Sequence, residues 1–360
     1  MKRSEKIAVE VNSNFHLLYQ KKDIEPKSRI YQEYRRRWEE NPENFVFGDF
    51  PLHLDIESTN ACNLACPFCT FKITDRKNSG MMEWELYKCI IDEGREHNLP
   101  SIKLSLRGEP LLHPAIVEMV EYAKKSGIID IYLNTNGVSL SEELSQKLIK
   151  AGLNRISISF EGTAKELYEK NRVGAKYEEV IQNIEKLVNC REKNKVNHPK
   201  IRIQTVLIPE MKGKLDEYRN FWGEKGVDEV AYLDFEQEPL KDENLSYSWA
   251  CPQLWQRMSI WYDGTLLPCV HDTLGKMRLG DVRDIKIADA WKSESEVAYR
   301  NLHKNGQGEL LYPCKVCPLR AGQVRKLKTS PPPISSPVPS PLILSLKGRG
   351  REGEGIDGED

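Results

Sequence analysis

Six short apolar runs alternate with amphipathic, helix-like stretches in the first two thirds of this 360-residue chain. Strand–helix alternation of this kind predicts a parallel sheet whose strands are joined by right-handed crossovers. Six units are fewer than a closed eight-stranded barrel needs, so we predict an α/β fold built on an open, partial (β/α)6 TIM-like barrel. Its chemistry is expected at the C-terminal ends of the strands. The strand-like runs are residues 52–57, 102–106, 129–134, 155–160, 201–207 and 229–234.

Composition divides the chain into four regions. Residues 1–50 are charged and aromatic and predict a helical leader ending near Pro42, and residues 51–240 hold the alternating units. Residues 241–322 are rich in Trp, Gly and Cys, with a hairpin-like segment at 257–270, and predict a small separate domain of mixed α and β structure. Residues 323–360 are rich in Pro, Ser, Gly and charge, so we expect a disordered tail.

Charge and hydropathy exclude several classes of function. Lys plus Arg number 53 and Asp plus Glu number 54, so no net basic field favours nucleic acid or an anionic membrane surface. No apolar run is long enough for a signal peptide or for the roughly 20 residues that span a bilayer. We therefore expect a cytoplasmic protein. Its nine cysteines are clustered, which in a reducing compartment indicates metal binding rather than disulfides.

The first cysteine cluster directly follows the first strand-like run. Cys62, Cys66 and Cys69 have the spacing C-x3-C-x2-C. Three thiolates on one short loop can hold three irons of a [4Fe-4S] cluster and leave the fourth iron open to a substrate or cofactor, whereas an electron-transfer cluster is closed by a fourth Cys. The alternative is part of a zinc site, which would need a fourth ligand such as His53 or His97.

The second cluster lies in the small C-terminal region. Four thiolates can close an iron–sulfur cube completely, which predicts an auxiliary [4Fe-4S] cluster. A zinc knuckle with four thiolate ligands is the alternative, and the residues alone leave it open. Two further cysteines, Cys89 and Cys190, fall in helix-like stretches and are interpreted as small apolar side chains. The four clustered cysteines are Cys251, Cys269, Cys314 and Cys317.

Over residues 50–322 the chain resembles the radical S-adenosylmethionine (SAM) superfamily. Besides the Cys loop, the strings Arg107-Gly108-Glu109-Pro110 and Asn134-Thr135-Asn136-Gly137 match family motifs in the same order, although Arg107 stands where the family has Gly. The resemblance implies that SAM binds the open iron and is cleaved reductively to a 5′-deoxyadenosyl radical. It further implies SAM contacts from Phe68, Gly108, Glu109, Thr135, Asn136, Ser157, Ser159 and Arg172.

Residues 241–322 are similar to the shortened SPASM, or twitch, domain of this superfamily. The matching features are Asp263-Gly264, Leu279-Gly280-Asp281-Val282 and the apolar stretch around Trp291. The full domain carries seven Cys and two auxiliary clusters, but no Cys follows Cys317 here, so we expect one auxiliary cluster. The Cys spacing is most like that of the aminocyclitol dehydrogenases of this group.

The resemblance implies oxidation of a hydroxyl carbon in a sugar- or cyclitol-like small molecule, with the auxiliary cluster as electron acceptor. A radical epimerase and a peptide-modifying maturase are the enzymatic alternatives, and a non-catalytic iron–sulfur or zinc scaffold is the third. The implied partners are a small-molecule substrate and an electron donor of the flavodoxin or ferredoxin type, with no nucleic acid and no membrane. Candidate proton acceptors at strand ends are Glu161, Glu210, Asp234 and Glu236.

Overall fold

A computed structural model describes residues 14–22, 26, 28–69, 79–235 and 249–329. Ten strands form one sheet in the order β1-β7-β6-β5-β4-β3-β2-β8-β9-β10. The strands are β1 (Phe15–Gln20), β2 (His53–Ile56), β3 (Ser101–Lys103), β4 (Asp130–Thr135), β5 (Arg155–Ser159), β6 (Lys200–Val206), β7 (Glu229–Leu233), β8 (Arg257–Ile260), β9 (Thr265–Leu267) and β10 (Gly280–Asp281).

Helices connect and cover these strands. Those of the first two thirds are α1 (Arg29–Glu43), α2 (Trp84–Glu96), α3 (Ile116–Lys125), α4 (Glu142–Ala151), α5 (Lys165–Asn171), α6 (Tyr177–Lys193) and α7 (Leu215–Gly223). Those of the last third are α8 (Gln253–Gln256), α9 (Ile287–Trp291), α10 (Glu294–Lys304), α11 (Tyr312–Lys315) and α12 (Pro318–Thr329). No helix among these described segments is both long and apolar enough to cross a membrane.

The six strands β2–β7 lie side by side in sequence order, and every neighbouring pair among them is parallel. Each overlaps one of the six predicted apolar runs, although β3 ends three residues before the predicted run 102–106 does, so the prediction of an α/β fold with a mostly parallel sheet is confirmed. Their apolar side chains, such as Leu54, Ile102 and Ile156, are buried against the helices. The alternate positions, such as Asp55 and Lys103, point to the other face of the strands. That face is therefore unusually polar for a buried surface.

The described part of the N-terminal leader contains a strand as well as a helix, which corrects the prediction of a helical leader there. Helix α1 is present, but β1 precedes it and pairs antiparallel with β7. The pairing covers an edge of the parallel sheet that would otherwise expose its backbone groups. His16 stacks on Tyr232 with ring centroids 4.5 Å apart, and the Arg202 guanidinium lies 4.6 Å from the Phe15 ring.

The C-terminal region is less separate than predicted. The expected hairpin forms between β8 and β9, but β8 also pairs in parallel with β2 and so extends the main sheet. The tail prediction is wrong at its start, because α12 continues through residues 323–329. Residues 330–360 lie outside the described residues.

Candidate active site

A cavity of about 480 Å³ opens at the C-terminal ends of β2–β5. One wall is the Cys loop, and the other walls are the segments that follow β3, β4 and β5. Parallel strands bring their carboxyl ends to one edge, so residues far apart in sequence meet there. Of the residues expected at this site, the cavity is lined by Cys62, Cys66, Phe68, Cys69, Gly108, Glu109, Thr135, Asn136, Ser159 and Arg172.

The Cys loop is held against the segment after β3 by a close backbone approach at Gly108. A Cβ atom there would lie 2.3 Å from the Thr59 carbonyl oxygen and 2.5 Å from that of Ala61. The next residue, Glu109, donates its backbone N–H to the same Ala61 oxygen at 2.7 Å. Only glycine at position 108 therefore permits the two backbone segments to approach this closely. The contact fixes the position of the start of the Cys loop.

On its other side the Cys loop contacts the segment after α5. The Ala65 backbone N–H donates to the Val173 carbonyl at 2.9 Å. Arg172 Nη1 lies 3.7 Å from Cys66 Sγ, and its guanidinium carbon is 5.4 Å from the Phe68 ring centre. The three cysteines are thus presented by a loop anchored at both sides.

Buried Glu161 orients Arg172. Arg172 Nη2 donates to Glu161 Oε1 at 2.7 Å, and Arg172 Nε donates to Oε2. This forked pairing uses two of the three guanidinium nitrogens. The remaining nitrogen, Nη1, points to Cys66 and the cavity, so an anionic group that enters the cavity would meet this edge of the guanidinium.

The three thiols suit iron. Burial raises the pKa of the Cys62 and Cys66 thiols, and the nearby Arg172 cation opposes this rise at Cys66. Metal binding must therefore displace protons from soft sulfur ligands. Three such ligands on one wall of a cavity provide a donor set for a cluster with one iron facing the open space.

Glu109 is 3% exposed and is held by three donors. Its carboxylate accepts from the Leu111 N–H at 3.0 Å, the Thr135 hydroxyl at 2.7 Å and the Asn136 N–H at 2.7 Å. Burial still raises the pKa of this carboxyl, which these hydrogen bonds oppose. A ligand ammonium reaching it would restore charge balance in the cavity wall.

The two serines of β5 do not share one environment. Ser159 lines the cavity, whereas Ser157 lies one strand repeat deeper and donates to Gln204 Oε1 at 2.8 Å. Asn136 also contributes structurally, because its side-chain amide donates to Asn63 Oδ1 at 2.7 Å and so reaches the Cys loop. The structure therefore separates Ser157 from the residues that meet at the cavity.

Sequence reasoning missed several cavity residues, although a signal was present. Lys103, Ser105 and Arg107 occupy alternate positions on and after β3 and line the cavity together with Asn134. Alternate residues of an extended segment lie on one face. The motif residue Arg107 could therefore have indicated that Lys103 and Ser105 also face the cavity. They give the cavity a polar lining in addition to the thiols.

Arg107, the departure from the family motif, joins the cavity to the C-terminal region. Its Nε and Nη2 each donate to a carboxylate oxygen of buried Glu57 at 2.6 Å. Its guanidinium carbon lies 3.7 Å from the Trp261 ring centre, and the Tyr262 N–H donates to Glu57 Oε2 at 3.2 Å. One buried acid therefore holds both the motif after β3 and the turn between β8 and β9.

Three of the four candidate proton acceptors are described, and none of these three lines the cavity. Glu161 pairs with Arg172, exposed Glu210 pairs with Lys170 at 3.0 Å, and Asp234 lies 3.0 Å from His16 Nε2. Glu236 lies outside the described residues.

The four C-terminal cysteines come together in one region beside α10 and α12. Cys251 and Cys317 pack in one apolar cluster with Trp249 and Leu319. Burial raises the pKa of the thiols of Cys251, Cys269 and Cys314, and neighbouring cysteines add to each rise. Within the described ranges, no three His, Cys, Asp or Glu side chains are arranged to hold a single metal ion.

Hydrogen bonds fix the backbone of this four-cysteine site. His303 accepts from the Cys251 N–H at Nδ1, 3.1 Å away, and its Nε2 lies 3.3 Å from Cys314 Sγ. The His271 N–H approaches Cys269 Sγ at 3.3 Å. Polar hydrogens near sulfur suit a cluster that carries negative charge.

Comparison with known families agrees with both sites. The model of the radical SAM superfamily matches residues 56–210, and that of an iron–sulfur cluster-binding domain, SPASM, matches residues 251–318. The chain therefore belongs to the radical SAM superfamily, carries a C-terminal SPASM domain and is an enzyme. These domains imply a SAM-binding [4Fe-4S] cluster, SAM itself and auxiliary iron–sulfur binding.

Two relatives and one solved structure illustrate the similarity. The chain is 38% identical over 143 residues to a probable GTP 3′,8-cyclase of Methanocaldococcus jannaschii, spanning 40% of this chain and about half (47%) of that relative. It is 26% identical over 321 residues to the tungsten-containing aldehyde ferredoxin oxidoreductase cofactor-modifying protein of Pyrococcus furiosus, covering 74% of this chain and 87% of the relative. The crystal structure of BtrN in complex with AdoMet and 2-DOIA matches 73% of this chain and 91% of that chain, with TM-score 0.50 and 21% identity.

Proposed function

We propose that this radical SAM enzyme oxidises a hydroxyl carbon of a sugar- or cyclitol-like small molecule. In this account residues 51–240 form a partial (β/α)6 barrel that binds SAM and substrate. Residues 241–322 form a twitch-type domain with one auxiliary [4Fe-4S] cluster.

One observation carries the proposal: a single cavity is lined both by three cysteine thiols and by polar side chains. The polar lining includes Lys103, Ser105, Arg107 and Asn134. Cations, a hydroxyl and an amide are suited to hydrogen-bond a small substrate rich in oxygen. A substrate bound there would face the cysteine loop across the same space.

When bound, SAM and its cluster supply a 5′-deoxyadenosyl radical that removes a hydrogen atom from the substrate. The resulting carbon radical then loses the proton of its hydroxyl group and one electron, so that the C–O single bond becomes the C=O bond of a ketone. We place the electron acceptor at Cys251, Cys269, Cys314 and Cys317, because four thiols leave no iron open for substrate.

The chain's own residues orient the reactants. We assign the SAM ammonium to Glu109, whose carboxylate is buried and already aligned by Thr135 and Asn136. We further assign the SAM carboxylate to Arg172, through Nη1, and the ribose to the Ser159 hydroxyl, because both residues line the cavity. Ser157, which is bonded to Gln204, is proposed to support the strand.

The positions of the two remaining thiols favour oxidation over epimerisation. An epimerase needs a group that returns a hydrogen atom to the substrate radical. Cys89 is exposed on α2 and Cys190 is 2% exposed within α6, and neither lines the described cavity.

The test is anaerobic reaction of the reduced enzyme with SAM and a panel of sugars and cyclitols in deuterated water. Oxidation predicts 5′-deoxyadenosine together with a product lighter by two hydrogen atoms. Recovered substrate carrying solvent deuterium would instead indicate an epimerase, and turnover only with a precursor peptide would indicate a maturase. About eight irons per chain are expected, and four irons with zinc would contradict the auxiliary cluster.

A further inference from the structure

The cationic side chains that line the cavity are not equally compensated by acids. Arg107 is held in a forked pair by buried Glu57. Arg172 is held in the same way by buried Glu161. A forked pair of this kind balances each guanidinium with a carboxylate of its own. The third cation of the described lining, Lys103, has no such private partner.

Lys103 shares its carboxylate with a second cation. Its ammonium contacts Asp55 Oδ1, and Arg257 Nη1 lies 3.5 Å from Oδ2 of the same side chain. Burial alone would raise the pKa of the Asp55 carboxyl, but Lys103 and Arg257 hold it well below its usual range, so it is ionised. The neighbouring His53 is neutral at pH 7, because burial lowers its pKa to about 4. Two positive charges therefore face one negative charge.

Lys103 and two neutral groups can place hydrogen-bond donors in the cavity. The Lys103 side chain is 14% exposed and lines the cavity, and its ammonium has three N–H donors, which one contact to Asp55 does not exhaust. Ser105 Oγ accepts from the Asn134 backbone N–H at 2.9 Å, so its own proton remains for donation. The Asn134 side-chain amide belongs to the same lining.

The acid in the cavity lining does not supply the missing negative charge. Among the described residues that line the cavity, Glu109 is the single acid. Its carboxylate accepts from Thr135 and Asn136, and the proposed function assigns it to the SAM ammonium. A cation left unmatched in a largely buried site is unfavourable, and a negatively charged ligand relieves this cost.

We propose that the substrate is anionic: a sugar- or cyclitol-like molecule whose carboxylate or phosphate group is bound by Lys103. The inference rests on the proposed function, since it takes the cavity to hold the substrate beside SAM. Ser105 and the Asn134 amide are available to the remaining oxygens of the same group. Lys103 is then a specificity-determining residue, because a neutral sugar leaves its charge unmatched.

The structure defines the charge of the bound group rather than its shape. A lysine ammonium acts as a point charge and does not select a planar carboxylate over a tetrahedral phosphate, as a forked arginine would. Carboxylate and phosphate are therefore separated by experiment.

The experiment measures binding by calorimetry to the full-length, iron-loaded protein, with SAM present and without reductant, so that no reaction takes place. The ligands are neutral sugars and cyclitols, each compared with its carboxylate and monophosphate derivatives. In the wild type we expect an acid to bind about tenfold or more tightly than its neutral parent, and added salt to weaken only the acid. Whether the carboxylate or the monophosphate binds more tightly identifies the group.

Lys103→Met tests the residue itself. It removes the ammonium but keeps a long side chain, and Asp55 retains Arg257 as its partner. We expect the preference for the acid to be lost, with its affinity falling about tenfold or more. Lys147→Met, at a side chain 57% exposed on α4, should bind as the wild type does. Iron content and melting temperature show whether each variant is folded, and the wild-type comparison requires no variant.

Equal affinity for the acids and their neutral parents in the wild type would overturn the proposal, as would failure of every acid to bind. A preference for acids that persists in folded Lys103→Met would also overturn it. Oxidation is followed separately, after reduction with dithionite. An acid that binds but yields neither 5′-deoxyadenosine nor a product would refute the proposed function and leave the anion preference standing. Oxidation of a neutral sugar without any preference for acids would refute only the present proposal.

Discussion

At the scale of single residues, the site depends on positions where two backbone segments touch. Gly108 is such a position, because its Cα faces the carbonyls of Thr59 and Ala61. The cysteine loop and the motif after β3 can approach only if no side chain lies between them. Geometry at the cavity is thus set by a residue that offers no functional group.

We predict that Gly108→Ala weakens SAM binding about tenfold or more, because its methyl group must push the Cys loop away from Glu109. Calorimetric titration of SAM into the anaerobic protein measures this. Gly223→Ala is the matched control, since a Cβ there meets nothing within 4 Å. Equal SAM affinity in both variants would show that the close approach has no role in positioning the loop.

Arg172→Lys tests the forked pair with Glu161. A lysine keeps the charge but cannot donate two parallel hydrogen bonds while reaching the cavity. We expect SAM affinity to fall about tenfold and the melting temperature to fall, since Glu161 is fully buried. Arg36→Lys, at an exposed arginine of α1, should change neither quantity. An unaffected SAM affinity in Arg172→Lys would remove Arg172 from the proposed ligands.

Residue types and their order sufficed to predict most of this site. The three cysteines and Glu109 could be found because motifs placed them after strands, and Arg172, at the end of α5, because it matches a family position. Lys103 was not recognised as a cavity residue, because an isolated basic residue in a strand has the same sequence signal whether it faces a cavity or solvent. Arg107 was noted only as a departure from the family motif. Only the pairing of β2 with β3 shows that Asp55 and Glu57 hold them.

At the scale of elements, helix α10 carries a buried ion pair that is poorly satisfied. Glu296 Oε1 lies 3.2 Å from Arg300 Nη2, yet neither group makes a hydrogen bond through those atoms within the described structure. The rest of the Arg300 guanidinium donates to the carbonyls of Leu254 and Trp291 and lies 4.1 Å from the Phe47 ring. Burial raises the pKa of Glu296 from 4.5 to about 7.

This pair predicts a stability loss as pH rises. Between pH 4.5 and about 7 the folded protein holds a proton on Glu296 that the unfolded chain has released, so stability falls through this window and then levels off. Glu296→Gln removes the effect: its stability relative to wild type should rise by roughly 3 kcal/mol between pH 5 and pH 8. Thermal melts across that range check this, with exposed Glu143→Gln as control. If the stability difference between Glu296→Gln and the wild type does not change with pH, Glu296 is ionised in the folded protein over the whole range, which would contradict the prediction.

Helices and strands could be predicted from the sequence where the local pattern of apolar residues matches their burial in the folded protein. The parallel strands are buried apolar runs, and their bounds follow closely from sequence. Strand β1 was missed because its sequence, FHLLYQ, lies in a charged segment and it forms only by pairing with β7, more than two hundred residues away. Helix α12 was missed beyond residue 322 because the predicted tail boundary was placed by composition.

At the scale of the whole molecule, the C-terminal region joins the parallel strands β2–β7 through a continuous sheet and one buried acid. Strand β8 extends the parallel strands, and Glu57 binds Arg107 while accepting from Tyr262 N–H. Sequence alone could predict two regions but not this junction, because each partner comes from a different segment.

We predict that Glu57→Gln lowers the free energy of unfolding by about 3 kcal/mol, since it leaves the buried Arg107 charge without its partner. The measurement is the melting temperature of the iron-loaded protein. Lys147→Gln, which breaks an exposed pair with Glu143, should cost less than about 1 kcal/mol. If Glu57→Gln and Lys147→Gln lower the melting temperature by equally small amounts, the Glu57–Arg107 pair does not hold the two regions together.

The most direct test of the account is iron content together with 5′-deoxyadenosine formation in a variant with Cys62, Cys66 and Cys69 all replaced by Ala. Reconstituted anaerobically, reduced with dithionite and given SAM, it should retain about half of the wild-type iron, at the four-cysteine site, and form no 5′-deoxyadenosine. Cys89→Ala should match the wild type in both. A triple variant that keeps all its iron and still cleaves SAM would contradict the assignment of the cavity.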